Sequence, residues 1–131
     1  MRSESQRSGF TLIELLIVMT LVGILALIVW ARFGGIYERA YRSSMISDLK
    51  TVASAQEIYY AVNMTYGSVT DLGAYSPTRG VTVTINHADY GGFAAVATHA
   101  GAPTVSCAYY SGTVPPGTHA PATQPDVPMC N

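Results

Sequence analysis

The chain has 131 residues, a formal net charge of −1 and two cysteines. This length allows one globular unit at most beside any membrane segment. Only Lys50 and Arg79 are cationic beyond residue 42, so the chain lacks the basic patch that neutralises nucleic-acid phosphates. Direct nucleic-acid binding is therefore not expected.

An apolar run extends from Phe10 to Ala31 with Glu14 as its only charge. A helix of about 20 such residues spans a bilayer core of roughly 30 Å. The apolar side chains favour insertion by more than the roughly 3 kcal/mol that an acid costs, yet an acid in lipid requires a partner. A secretory signal has a shorter apolar core, and an ordinary anchor leaves Glu14 unexplained.

The residues before this run are polar, include Arg2 and Arg7, and end at Gly9. Together with the sequence GFTLIELL at residues 9–16, they resemble the class III leader of type IV prepilins and pseudopilins. The resemblance implies a leader peptide at residues 1–9, cleavage after Gly9 and methylation of the new N-terminal Phe10. It also implies that Glu14 acts in assembly by pairing with the Phe10 amine of its own chain or of the next subunit.

The two cysteines, Cys107 and Cys130, lie far from the apolar run. Such a pair predicts one disulfide formed on the oxidising side of the membrane. In the chain-entropy model, closing the loop from Cys107 to Cys130 stabilises the fold by roughly 3 to 3.5 kcal/mol. The alternative is two unpaired thiols in a reducing compartment. If the bridge forms, the C-terminal domain lies outside the cytoplasm.

A second helical pattern follows the apolar run. Residues 10–33 are predicted as a transmembrane and filament-core half-helix and residues 34–66 as an amphipathic half-helix, in one helix from about Thr11 to Asn63. Its length of ~80 Å exceeds what a small domain covers, so the first half projects. Gly67 is the predicted left-handed stop. Three glycines, each costing about 1 kcal/mol relative to alanine, are the predicted points of helix flexibility: Gly23, Gly34 and Gly35.

Residues 67–112 are predicted as a loop and a sheet, with strands over 81–86, 93–99 and 105–110. The predicted fold is α+β: a long N-terminal helix whose outer half packs on a small three- to four-stranded antiparallel sheet, a pilin-like lollipop. Residues 113–131 are rich in proline and carry no strand period. The disulfide is expected to close them into a surface flap.

No motif predicts catalysis, a cofactor or a metal. The histidines have no zinc-ligand spacing and no Gly-x-Ser-x-Gly elbow is present. Three aspartates also lack the spacing of a calcium loop. The residues considered are His87, His99, His119, Asp71, Asp89 and Asp126. The chain is not expected to be an enzyme.

By resemblance, the expected function is that of a structural subunit of a type IV pilus, homopolymerised through its apolar helix. A prepilin peptidase, a platform protein and an assembly ATPase are the implied partners. The precursor would sit in the inner membrane and the product in an extracellular filament. The alternatives are a type II secretion pseudopilin with a periplasmic product, a minor pilin, and a plain membrane-anchored binding domain.

Overall fold

The computed structural model describes residues 9–33, 35–73 and 75–131, with the side chains of residues 30–33 left out of the description. Most of the predicted leader and Gly34 therefore lie outside the described residues. The chain forms two compact units, one ending at Ile36 and the other spanning Tyr37–Asn131. Each is described below by itself.

Two helices occupy the region predicted as one. Helix α1 spans Leu12–Phe33 and helix α2 spans Ile36–Asn63, with Gly35 in a turn between them. The prediction of an uninterrupted helix is thus corrected at Gly35, since glycine weakens helical structure because it has the most backbone freedom to lose. Gly23 lies inside α1.

Helix α2 ends on a different residue from the one predicted. Met64 has φ of 57° and its N–H donates to the carbonyl of Tyr60 at 2.8 Å, which closes the helix with a residue in the left-handed region. Gly67 has no positive φ. It is buried instead, with its N–H and C=O bonded to the Gln56 side chain at 2.9 and 2.6 Å.

The fold class is confirmed: the chain combines a long helical N-terminal region with a four-stranded antiparallel sheet in the order β1-β2-β3-β4. A short 3-10 helix at Val69–Leu72 precedes the sheet. The strands are β1 Val81–Ala88, β2 Gly92–His99, β3 Ala102–Gly112 and β4 Met129–Cys130. An irregularity between Ile85 and His87 interrupts the β1–β2 register.

The core lies between α2 and one face of the sheet. Its helical side consists of Met45, Leu49, Val52 and Gln56, all fully buried and spaced by three or four residues, as one face of an amphipathic helix requires. The sheet supplies the alternating side chains of its strands. These include Val81, Val83, Phe93, Ala95, Ala97, Val105 and Cys107.

The C-terminal tail contains a strand that the sequence did not predict. Strand β4 pairs antiparallel with β3, aligning Cys107 with Cys130 and Ala108 with Met129. The predicted disulfide joins Cys107 and Cys130. Two residues are too few to produce a recognisable alternation, so only the tertiary pairing identifies this strand.

Candidate assembly site

Helix α1 presents an apolar surface that is exposed in the described part of the chain. Residues 12–29 have a mean hydropathy of 2.9 and none of them is buried. By length and composition this segment is able to cross a membrane. Leu12 is 80% exposed at one end and Val29 is 50% exposed at the other. A continuous apolar surface of this size in water is unfavourable, so α1 requires lipid or other protein segments around it.

Glu14 lies in the first turn of α1 and bonds to Thr11. Its Oε2 accepts from the Thr11 N–H at 3.2 Å and from the Thr11 hydroxyl at 3.1 Å. The Thr11 Oγ1 accepts from the Glu14 N–H at 3.3 Å. These reciprocal bonds form a capping box, which satisfies backbone donors that the helix leaves free. The Glu14 side chain therefore also caps the N-terminus of α1.

Thr11 is the site residue that the sequence interpretation missed. The signal was present as Thr11-Leu12-Ile13-Glu14, which has the Thr-x-x-Glu spacing of a capping box before an apolar run. The geometry makes both roles compatible, since the Thr11 N–H that contacts Glu14 belongs to the residue next to Phe10.

The predicted processing residues lie immediately before the helix. Gly9 and Phe10 are exposed and have no helical assignment. The Phe10 side chain is 81% exposed. The Gly9–Phe10 peptide bond therefore lies outside helix α1.

The aspartates considered for calcium have separate local roles. Hydrogen bonds from the hydroxyl and N–H of Ser68 lower the pKa of the Asp71 carboxyl. The N–H groups of Gly91 and Gly92 donate to Asp89, and these bonds lower its pKa. Asp126 accepts from the Tyr109 hydroxyl at 3.2 Å. Among the described residues, no group of three or more Cys, His, Asp or Glu is placed to hold a metal.

Two of the three histidines contribute to packing. The His99 ring stacks on Tyr41 with centroids 4.0 Å apart, and the His119 ring lies 4.3 Å from that of Tyr110. These residues are on different elements from α1. The candidate site therefore consists of α1 and the residues that begin it.

Helix α1 is apolar and exposed, begins with the Thr11–Glu14 capping box and follows a Gly-Phe junction. The family model described as "Prokaryotic N-terminal methylation motif" matches residues 5–30. The resemblance to pilins and pseudopilins is thereby confirmed. Relatives of this chain include a protein named as a type II secretion core protein and one named as a type IV major pilin.

Three relatives illustrate this. Type II secretion system core protein G of Klebsiella michiganensis is 39% identical over 66 residues, 50% of this chain and 46% of the relative. The Escherichia coli core protein G is 32% identical over 66 residues, with the same two shares. Type IV major pilin protein PilA of Myxococcus xanthus is 33% identical over 79 residues, 60% of this chain and 36% of the relative. The matched segment is thus less than half the length of each relative.

Proposed function

We propose that this chain is a structural subunit that polymerises through α1 after removal of its leader, and that it has no catalytic role. The observation that supports this proposal is the exposed apolar span at residues 12–29, with Glu14 in its first turn. In the membrane, lipid covers this span. In a polymer, the same helices of neighbouring copies cover it, so the surface is satisfied in both states.

The proposed assembly uses the acid in two states. In the precursor, Glu14 bonds to Thr11 and lacks a terminal amine beside it. Cleavage after Gly9 would create an ammonium at Phe10, next to the Thr11 N–H that the carboxylate already contacts. An ion pair in a low-dielectric environment is stronger than in water, so processing would offset part of the penalty of burying the acid. The amine belongs either to the same chain or to a neighbour.

Between the two finer assignments, we favour a pseudopilin of a type II secretion system over the surface pilus that the sequence suggested first. Relatives named as type II secretion core protein G support this choice. A surface type IV pilus is the second candidate, supported by the similarity to PilA and by the disulfide-closed tail. Under either assignment a prepilin peptidase, a platform protein and an assembly ATPase are the proposed partners. The inner membrane is the proposed location before assembly.

Three variants at the start of α1 separate charge from capping. We expect Glu14→Ala and Glu14→Gln each to reduce assembly at least tenfold, because both remove the carboxylate. Thr11→Ala should retain assembly and lose about 1 kcal/mol of helix stability, because it removes only the cap. Assembly is measured by cross-linking of full-length subunits in membranes, and insertion by resistance to carbonate extraction.

All three variants should remain inserted, since the apolar span is unchanged. Normal assembly of Glu14→Ala would refute the role given to the acid. Assembly of Glu14→Gln but not of Glu14→Ala would show that only the cap matters.

The location of the polymer distinguishes a pseudopilus from a pilus. We expect the assembled protein to stay with the cells after shearing, and its deletion to stop release of secreted enzymes. Its intact mass should correspond to a chain beginning at methylated Phe10 and two hydrogens lighter than the dithiol form. Recovery of the same mass in sheared surface filaments, with secretion unaffected, would favour the surface pilus.

A further inference from the structure

The last residues of the chain run along the outer edge of strand β3. The Asp126 N–H donates to the Tyr110 carbonyl at 2.8 Å, and the Asn131 N–H donates to the Ser106 carbonyl at 3.1 Å. The Ser106 N–H in turn donates to the Asn131 Oδ1 at 2.9 Å. Strand β4 and the disulfide lie between these bonds. Residues 126–131, called the edge cover below, thus occupy the hydrogen-bonding positions that a neighbouring strand would use.

Apart from the disulfide, the edge cover is held mainly by hydrogen bonds at its two ends. Besides the backbone bonds above, the Tyr109 hydroxyl donates to Asp126. The Arg42 guanidinium donates to the Asn131 carbonyl.

Strand β4 comprises only two residues. Pro128, which precedes β4 in the cover, has no N–H to donate. Val127 is 43% exposed, so the cover contributes little to the core. An isolated pairing of this length is marginal in water. The side-chain bonds to Asp126 and Asn131 are exposed, so the covalent bond between Cys107 and Cys130 is the strongest single constraint on the register of the cover.

Strand β3 has few features that would protect its edge without the cover. Its sequence, APTVSCAYYSG, contains no charged residue, and its one proline, Pro103, lies near its start. Natural sheets protect open edges with charges, prolines, bulges or very short strands. Strand β1, at the opposite edge, has an irregularity between Ile85 and His87. The pairing of β3 with β2 is also irregular, since Thr98 pairs with Ser106 and His99 with Ala102. Residues 106–112 are the regular, uncharged segment that would form an open pairing surface without a cover.

We propose that the edge cover conceals a strand-pairing surface on β3, and that opening the disulfide allows this surface to pair with the β3 edge of a second copy. Two identical edges are self-complementary about a two-fold axis when they run antiparallel, the arrangement that β4 already makes with β3. This inference goes beyond the proposed function and does not require assembly through α1.

The opening step is a thiol–disulfide exchange. One thiolate of a dithiol attacks a sulfur of the Cys107–Cys130 bridge and forms a mixed disulfide, and the other Cys leaves as a thiolate. The second thiol of the reductant, as its thiolate, then displaces the remaining Cys sulfur. The chain gains two thiols and two electrons, and the reductant becomes a cyclic disulfide. Strand β3 itself is unchanged, because it remains paired with β2.

The test uses the full-length chain in detergent micelles, with dithiothreitol present to prevent new disulfides in the Cys130→Ala variant. We expect amide exchange at Asn131, in the cover itself, to accelerate at least tenfold relative to the oxidised wild type, while amides between β1 and β2 keep their protection. We also expect dimers or larger species at concentrations where the oxidised chain in the same detergent shows none.

Ser106→Pro provides a matched control, because the Ser106 N–H points to the cover and not to β2. Added to Cys130→Ala, it should reduce association at least fivefold. In the oxidised wild type it should leave exchange between β1 and β2 unchanged.

Three outcomes would overturn the proposal. Retained protection of Asn131 in Cys130→Ala would show that the cover needs no disulfide. Association that Ser106→Pro does not reduce would place the contact elsewhere. Loss of protection throughout β1 and β2 would show that the cover is part of the cooperative fold and is not a separable segment.

Discussion

At the scale of single residues, Gln56 is a buried polar side chain in the C-terminal unit. It is fully buried, and its side chain bonds to both the N–H and the C=O of Gly67. Two backbone groups of the loop after α2 thereby find partners away from water. Gln56 therefore specifies where this loop docks on the helix.

We expect Gln56→Leu to destabilise the fold by about 2 to 4 kcal/mol, because it leaves two buried backbone groups without partners. Urea unfolding of the full-length chain in micelles, followed by near-ultraviolet circular dichroism, measures this change. Ser54→Ala on the exposed side of the same helix is the control and should change stability by less than about 0.5 kcal/mol. Equal effects of the two variants would contradict the role given to Gln56.

Tyr75 makes stability dependent on alkaline pH. Burial raises the pKa of Tyr75 from 10.0 to about 12, with the nearby Asp48 carboxylate adding to the shift. Because the folded state holds this proton more tightly than the unfolded state, the phenol's contribution to stability is complete below about pH 10. It is lost as the pH rises from about 10 to about 12.

We expect the free energy of unfolding of Tyr75→Phe to decline less steeply than that of the wild type over this interval. Urea unfolding at pH 9, 10 and 11 measures the slope, and absorbance at 295 nm should show one fewer phenol ionising near pH 12. The decline should persist in part, because burial also raises the pKa of Tyr66 and Tyr109 to about 12. Identical slopes for the two proteins would refute the assignment.

At the scale of secondary-structure elements, the end of α2 is formed under strain. Met64 adopts φ of 57° although its side chain is 71% exposed. A residue with a Cβ pays about 1 to 2 kcal/mol for this conformation, whereas glycine adopts it readily. The side chain is too exposed to compensate by packing.

We expect Met64→Gly to stabilise the fold by about 0.5 to 1 kcal/mol, the steric relief being partly offset by the greater freedom of glycine in the unfolded chain. The melting temperature in micelles should rise by a few degrees. Met64→Ala retains the Cβ and serves as the control, with little change expected. A lower melting temperature for the glycine variant would show that the methionine side chain stabilises the helix end.

At the scale of the whole molecule, the two units differ in whether the chain buries their apolar side chains. The core of the C-terminal unit comes from α2 and the sheet, with Leu49 fully buried. Helix α1 has no buried residue in its apolar span. Damage to the core should therefore leave membrane association intact.

We expect Leu49→Ala to destabilise the C-terminal unit by about 2 to 5 kcal/mol and to remain fully in the membrane fraction. Ile58→Ala, also on α2 but 71% exposed, should alter stability by less than about 0.5 kcal/mol. Near-ultraviolet circular dichroism and carbonate extraction on the same preparations report the two properties separately. Loss of Leu49→Ala from the membrane fraction would contradict this independence.

Much of the fold was predictable because its signals are local. The apolar run, the buried stripe on α2 and the alternation at Val81 and Val83 each follow from a period of one element. The three long strands were predicted to within a few residues of their observed bounds. The break in the helix was predicted only as a weak point, because sequence shows the cost of consecutive glycines but not where the helical bonds stop.

The sequence by itself determined the apolar helix with its acid, the predicted cleavage junction and the candidate disulfide pair, since each is a property of residue type and spacing along the chain. Tertiary structure decided the rest. It alone shows that β4 pairs with β3 and that Met64, not Gly67, adopts the left-handed conformation. It also shows the two hydrogen bonds between Gln56 and Gly67. These features depend on which backbone groups remain free after the helix and sheet pack together, and no local pattern in the chain encodes that.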